Sequence, residues 1–158
     1  MPKASPAAKA ATINNRRARY DYEILETYEA GMMLKGPEVK SIREGRATLA
    51  DSYARVEDNE VFLFNMHIQP YPYSRMELEP LRKRKLLLHH GEIDDIARAT
   101  AEKGVTLVPL KVYFKDGRAK VEIAIARGKR SYDKRQTIAA RDAKREAQRA
   151  LKGDRERD

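Results

Sequence analysis

This sequence predicts a mainly β, α+β fold: a small closed antiparallel barrel of about six strands, with two to three helices outside it and a basic C-terminal tail. Three observations carry that expectation. Short alternating segments bounded by turn residues recur from residue 21 to 126, and strands open and close that stretch. Two junctions, Asp58-Asn59 and Asp116-Gly117, are tight-hairpin signals. The charge is also uneven. Residues 1–20 carry five basic groups and no acidic ones, and residues 127–158 carry twelve basic and six acidic, whereas 21–126 is near neutral with 16 basic and 18 acidic. Short antiparallel strands need their edges closed or covered. A Greek-key barrel with outer helices does so with the fewest parts; an open α+β sheet is the alternative.

Residues 1–12 are small, Pro-containing and basic, which predicts a disordered arm. Asn14 and Asn15 are cap or turn residues. Asp21 to Tyr28 reads as a strand broken at Gly31 and resumed by Met32-Met33-Leu34. Gly36-Pro37 starts a short helix with proline at its first position, Val39 and Ile42 on one face and Gly45 as its stop. Ser52 to Glu57 and Val61 to Ile68 form a hairpin, and Pro70 begins an irregular loop. Glu92 to Lys103 reads as a helix burying Ile93, Ile96, Ala97 and Thr100, with Gly104 as its stop. Val105 to Phe114 and Lys120 to Ala126 make a second hairpin in which Val121, Ile123 and Ile125 alternate, so one face is buried. Pro109 belongs at an edge or bulge. Together these elements predict an OB-type barrel over 13–126 and a separate tail over 127–158.

The tail has good helix formers and almost no core. On a helix, Ala139, Ala143, Ala147 and Leu151 make a thin apolar stripe, and Arg141, Arg145 and Arg149 fall at i, i+4 and i+8. Like charges at that spacing cost about 0.3 kcal/mol per pair, and a helix of about 20 residues is marginal alone in water. The expectation is a tail disordered when free and helical when its arginines face phosphates.

A neutral body with two cationic ends suits docking on a polyanion. Nucleic acid is preferred to an acidic protein or an anionic membrane, because Arg outnumbers Lys in the tail and its apolar face is thin. The absence of cysteine excludes disulfides, thiolate metal sites and cysteine catalysis, and fits a reducing cytoplasm. No run has transmembrane length and the N-terminus lacks an apolar signal core, so the expected location is cytoplasmic, with no membrane partner. His67, His89 and His90 lack metal-ligand spacing. Glu92, Asp94 and Asp95 read as helix N-terminal carboxylates, where they favour the dipole. No nucleophile with a base, no phosphate loop, no metal site and no cofactor site is visible, so no enzymatic chemistry is expected. Cations interleaved with aromatics suit RNA: Arg16, Arg17, Arg19 and Tyr20 at one end, and Arg82 to Lys85 after a loop holding Tyr71, Tyr73 and Arg75.

Several runs, in order over residues 13–150, resemble the SmpB family, the SsrA-binding proteins of bacteria. They include Asn15-Arg16-Arg17-Ala18-Arg19, Glu38-Val39-Lys40-Ser41, Pro80-Leu81-Arg82-Lys83-Arg84-Lys85-Leu86-Leu87-Leu88, Lys103-Gly104-Val105-Thr106-Leu107-Val108-Pro109-Leu110 and Gly128-Lys129-Arg130-Ser131-Tyr132-Asp133-Lys134-Arg135. The resemblance implies an OB-like barrel that binds the transfer-RNA-like part of transfer-messenger RNA (tmRNA) and delivers it to stalled ribosomes. By motif match it implies RNA contacts at Asn15, Arg17, Arg19, Glu29, Arg84, Lys85 and Leu87, to which the cation–aromatic reading adds Arg16, Tyr20 and Arg82. It implies a tail that enters the messenger channel and decoding centre of the small subunit, through Gly128, Lys129, Arg130, Tyr132, Asp133, Lys134, Arg135 and Ile138. The basic helix with Arg141, Arg145 and Arg149 follows. Through tmRNA, elongation factor Tu and alanyl-tRNA synthetase become expected partners; DNA does not. Pro37 and the loop 73–79 depart from the family pattern. A generic single-strand-binding OB module and an RNA-processing enzyme using Asp94 or Asp95 are the competing functions.

Overall fold

The computed structural model describes residues 10–129 and 131–157, with the side chains of 131–134, 137 and 152–157 outside the description. The N-terminal arm expected over 1–12 therefore lies mostly outside the described residues, as does Arg130. Mixed α/β structure organises the rest around a multi-stranded antiparallel sheet. In chain order the elements are β1 (Ile13–Asn14), α1 (Ala18–Asp21), β2 (Tyr22–Met32), α2 (Gly36–Arg43), β3 (Ala47–Thr48), β4 (Tyr53–Glu57) and β5 (Glu60–Phe64). Then come β6 (His67–Ile68), β7 (Arg84–Leu87), α3 (His90–Thr100), β8 (Val105–Lys115), β9 (Arg118–Gly128) and α4 (Ser131–Arg157).

Seven strands pair in the order β1-β8-β4-β5-β7-β2-β9, and β9 also pairs with β8. The path of pairings through the six longer strands therefore returns to its start. The tightest arcs are β8–β9 and β2–β9, both nearly full length. The β4–β8 seam rests on one residue pair, Ala54 with Leu107. Inside lie Ile42, Leu49, Val61, Leu63, Met66, Leu86, Ile96, Leu107, Val112, Val121 and Ile123, all essentially inaccessible. Burial of aliphatic side chains at about 1.5–3 kcal/mol each holds the sheet and its helices around this cluster.

Backbone chemistry sets the turns. Asp58 and Asn59 both take positive φ, 50° and 62°, as a two-residue hairpin turn requires. The Asp116-Gly117 turn behaves likewise, at 52° and 76°. Gly45, at φ 75°, ends α2 in the left-handed conformation that glycine adopts freely. Pro109 cannot donate to the ladder, and the β8–β9 register shifts between Pro109 and Lys111, a bulge at the expected place.

Five expectations change. β2 runs unbroken through Gly31, which lies between Leu87 on β7 and Lys120 on β9; a Cβ there would meet Leu87 Cβ at 3.3 Å. The strand expected over Val61–Ile68 is interrupted at Asn65, whose φ is 62°, so that β6 joins β3 in a separate two-stranded sheet. α3 starts and ends earlier than expected, because Glu92 caps it from inside: its Oε1 accepts the His89 N–H at 3.1 Å. β9 is buried on both faces, since Ala124 and Ala126 pack with Val108, Leu110 and the α1 residue Ala18 in a second cluster. The last strand also runs two residues past the expected body, to Gly128, before α4 begins.

Candidate RNA interface

The expected contact residues fall into three groups, and the structure treats each differently. The first group surrounds a buried ion cluster. Arg84, expected at the RNA surface, is instead completely buried. In β7 the alternation puts Arg84 and Leu86 inward and Lys85 and Leu87 outward. Arg84 donates from Nε and Nη2 to Glu38 Oε2, at 2.9 and 2.7 Å. It also donates from Nη1 to the Met66 carbonyl at 2.5 Å and from Nη2 to the Pro80 carbonyl at 3.1 Å. Its donors thus reach α2, the β5–β6 corner and the loop before β7, and its complete burial leaves no part of it to meet RNA. The neighbouring Arg82 also donates to Glu38, through Nη2. Arg82 is partly exposed but held inward by this bond, so it too contributes mainly to the cluster.

Glu38 is therefore the centre of the cluster. Burial pushes its carboxyl up, but hydrogen bonds from Arg82, the Lys35 amide and Arg84 outweigh burial and hold it below its ordinary value. Burial lowers Arg84, and Glu38 opposes that. A carboxyl depressed on folding contributes stability that is complete above its unfolded pKa, about 4.3, and lost as pH falls through the lower folded value. Denaturant midpoints should accordingly be flat from neutrality to about pH 5 and fall below about pH 4. Glu38→Gln should remove most of that acid slope.

The second group lies on the outer face where β7, β2 and β9 meet. Leu87, half-exposed, and Lys120 flank Gly31, and Lys85 projects beside them, paired to Glu60 at 2.7 Å. A shallow cleft of about 320 Å³ runs between Leu87 and the β8–β9 turn, with Arg118 and Lys120 on its rim. Glu29 stands on the same face of β2, two residues before Gly31. Its Oε2 accepts the Tyr113 hydroxyl at 2.5 Å, and its Oε1 lies 3.4 Å from Lys115 Nζ. The Tyr113 bond, with Lys115, keeps the Glu29 carboxyl below its ordinary value; burial and the Glu29 carboxylate push Tyr113 up to about 12. Glu29 is thus an oriented acceptor at neutral pH, beside an apolar ledge and several cations. That combination can accept from base or ribose donors while neighbouring cations meet phosphates. Arg118, Lys120, Tyr113 and Lys115 were missed in the sequence. Only the β2–β9–β8 register, which no local pattern encodes, brings them to Glu29.

The third group sits at the other end of β2. Asn15 is committed to the fold: Nδ2 donates to the Pro109 carbonyl at 2.9 Å and its N–H to the Leu110 carbonyl at 2.8 Å, filling the bulge. Arg16, Arg17 and Arg19 are exposed, and Tyr20 is half-buried with the Arg17 guanidinium 5.6 Å from its ring centre. Lys129 ties the start of the tail here, donating from N to the Asp21 carbonyl and from Nζ to the Arg19 carbonyl, each at 2.9 Å. Gly128 ends β9, exposed. Tyr132, Asp133 and Lys134 lie in α4, their side chains outside the description. Arg135, Ile138, Arg141, Arg145 and Arg149 are all exposed. Tyr22 and Glu29 are seven residues apart in extended chain, so this group is about 23 Å from the second along the strand.

Among the described residues no group of three or more His, Asp or Glu is placed to hold a metal ion, and no helix is long and apolar enough to cross a membrane.

A small antiparallel sheet carrying an oriented carboxylate, an apolar ledge, cations and a long basic helix is the equipment of a protein that binds structured RNA. The chain belongs to the SmpB family: the family profile described as "SmpB protein" matches residues 12–153. It is 59% identical over 141 residues to the SsrA-binding protein of Moorella thermoacetica, spanning 88% of this chain and 91% of that one. It is 58% identical over 140 residues to the SsrA-binding protein of Desulforudis audaxviator, spanning 88% and 92%. A solved chain described under "tmRNA-SmpB: a journey to the center of the bacterial ribosome" superposes with a TM-score of 0.65 at 51% identity, over 80% of this chain and 94% of that one.

Proposed function

We propose that the sheet and the helical tail of this chain do different jobs in one process. The chain binds tmRNA and delivers it to stalled ribosomes in trans-translation, as an adaptor without catalytic chemistry. In this reading the sheet is a closed OB-type barrel, supported by the pairing path that returns from β9 to β8. Its outer face at Glu29, Lys85 and Leu87 holds the transfer-RNA-like part of the RNA, and Lys120 joins them. The tail is loosely ordered when free. It becomes a fixed helix in the vacant messenger channel and decoding centre of the small subunit, where messenger competes for the same space. Elongation factor Tu and alanyl-tRNA synthetase meet the complex through the RNA, in the cytoplasm.

The observation that carries this division is the separation of the two exposed groups. A folded RNA can occupy one end of β2 while the tail leaves from the other, fixed by Lys129. Loose ordering of the tail is supported by its side chains. From Arg135 to Leu151 every described one is exposed, including the alanine stripe. An exposed helix of this length gains little from packing and is marginal in water.

Sequencing the RNA that co-purifies with tagged full-length protein tests the reading. One folded species, tmRNA, should dominate. A broad mixture of unstructured RNA would favour a generic single-strand binder instead. Affinity for purified tmRNA should fall by about 10³ between 50 and 200 mM salt if about six phosphates are contacted. A flat salt response would place the cations outside the interface.

A further inference from the structure

The two cationic ends of the chain, more than a hundred residues apart in sequence, meet in one place. The turn into α1 supplies Arg16 and Arg17, with Tyr20 from α1 itself. One face of α4 supplies Ile138, Arg141 and Arg145. They line an open cleft of about 450 Å³. Among the described residues the single carboxylate on its wall is Asp142, on α4; Asp21 sits 3.7 Å from Arg17, its own i,i+4 neighbour. Among the described residues no carboxylate pairs with Arg16, Arg141 or Arg145. Four guanidinium groups thus converge on one gap with little to neutralise them. Like charges gathered at short range raise the local potential and are relieved by a polyanion.

Two other lining residues add selectivity. Tyr20 offers an aromatic ring, already under the Arg17 guanidinium, and Ile138 an exposed apolar surface. Arg141 and Arg145 lie one turn apart on one face of α4, about 6 Å along the helix, a row against which successive phosphates can lie. A ring for a base and two rows of guanidinium groups for phosphates suit an unpaired RNA strand better than an acidic peptide, which has no planar group for the ring.

We infer that the cleft between α1 and α4 is an RNA-strand clasp, and that the strand it holds belongs to the small ribosomal subunit. The inference rests on the reading that the tail works on the ribosome. Three considerations favour that source. Half of the arginines are on the tail. The face proposed for the folded RNA is at the far end of β2. Lys129 holds the start of the tail against α1, so the clasp can form only where the tail is directed. Arg16 and Arg17 therefore serve the ribosome alongside the tail, closing over a strand that α4 alone would contact from one side. Filling the clasp also fixes the orientation of α4, which otherwise has little to pack against.

The test uses full-length protein, messenger-free small ribosomal subunits and purified tmRNA, with three variants: Arg16→Ala/Arg17→Ala, Arg141→Ala/Arg145→Ala, and all four together. Each pair should weaken subunit binding about tenfold and lower the slope of log affinity against log salt by about 1.4, as for two phosphates of a single strand. The four-fold variant should lose clearly less than the product of the two, because either half releases the same strand. The Arg16/Arg17 pair should lose several-fold more on subunits than on tmRNA. Losses that simply multiply would overturn the clasp. So would an Arg16/Arg17 loss on tmRNA as large as that on subunits, or competition by polyglutamate as effective as by an RNA oligonucleotide. If unaltered protein fails to bind subunits at all, the ribosomal role of the tail falls first and the inference with it. If it binds normally but Arg16/Arg17 has no effect, the inference alone falls.

Discussion

Arg84→Ala should cost about 3–5 kcal/mol of folding free energy, as breaking one side of a buried ion pair does. A domain of this kind is stable by about 5–15 kcal/mol in total, so the variant sits close to unfolding at 37 °C. The reason is local. Removing the guanidinium leaves Glu38 buried with the partly exposed Arg82 as its remaining charge partner, and strips donors from the Met66 and Pro80 carbonyls. Three segments separate in sequence lose their common anchor at once. Urea unfolding checks the value, and a loss under about 1 kcal/mol would mean that the cluster behaves like an exposed surface pair. Lys85→Ala, its outward neighbour, should leave stability within about 1 kcal/mol and weaken RNA binding. Replacing Glu38 and Arg84 together with apolar residues should recover only part of the loss, because the two carbonyls still lack donors. The resemblance and the charge run both placed Arg84 at the RNA surface. The structure assigns it a positioning role: it fixes the strand from which Lys85 and Leu87 project.

Ending the chain at Lys129 should abolish tagging by stalled ribosomes while changing affinity for tmRNA by no more than about threefold, since the phosphate contacts on the sheet remain. Lys129 is kept because its two hydrogen bonds close the end of β9 onto α1. Everything beyond it that is described is helix with exposed side chains, so its removal opens no cavity in the body. Thermal stability should therefore be unchanged. An in vitro rescue assay and filter binding on the same preparation measure both effects. Loss of most tmRNA affinity would contradict the separation of roles; full rescue activity would remove the tail from the mechanism.

Some of this was legible in the sequence because the cause was local. Asp58-Asn59 and Asp116-Gly117 mark turns because those residues tolerate positive φ. Pro109 marks a bulge because it has no N–H. The proline in the first turn and the glycine stop of α2 follow from the same kind of constraint. Even the burial of Arg84 had a local signal, since two-residue alternation with Leu86 puts it inside; the surrounding cations hid it. Other features depend on distant pairing. Gly31 looked like a strand breaker. Its smallness serves instead the close approach of Leu87, which only the β2–β7 register reveals. Lys120 and Tyr113 reach Glu29 across two strand pairings. α1 has four residues, too few for any periodic pattern, yet it covers the second core cluster and anchors the tail. The four arginines of the cleft were each visible as part of a basic run, but their convergence was not.

Amide hydrogen exchange across residues 131–157 tests the division of labour most directly. It should be measured on the free protein, on its complex with tmRNA, and on that complex bound to stalled ribosomes. The account predicts rapid exchange in the first two states beside slow exchange in β8 and β9, and strong protection of the tail only on the ribosome. Tail amides that are already as protected as those strands in the free protein, or that stay unprotected on the ribosome, would contradict it.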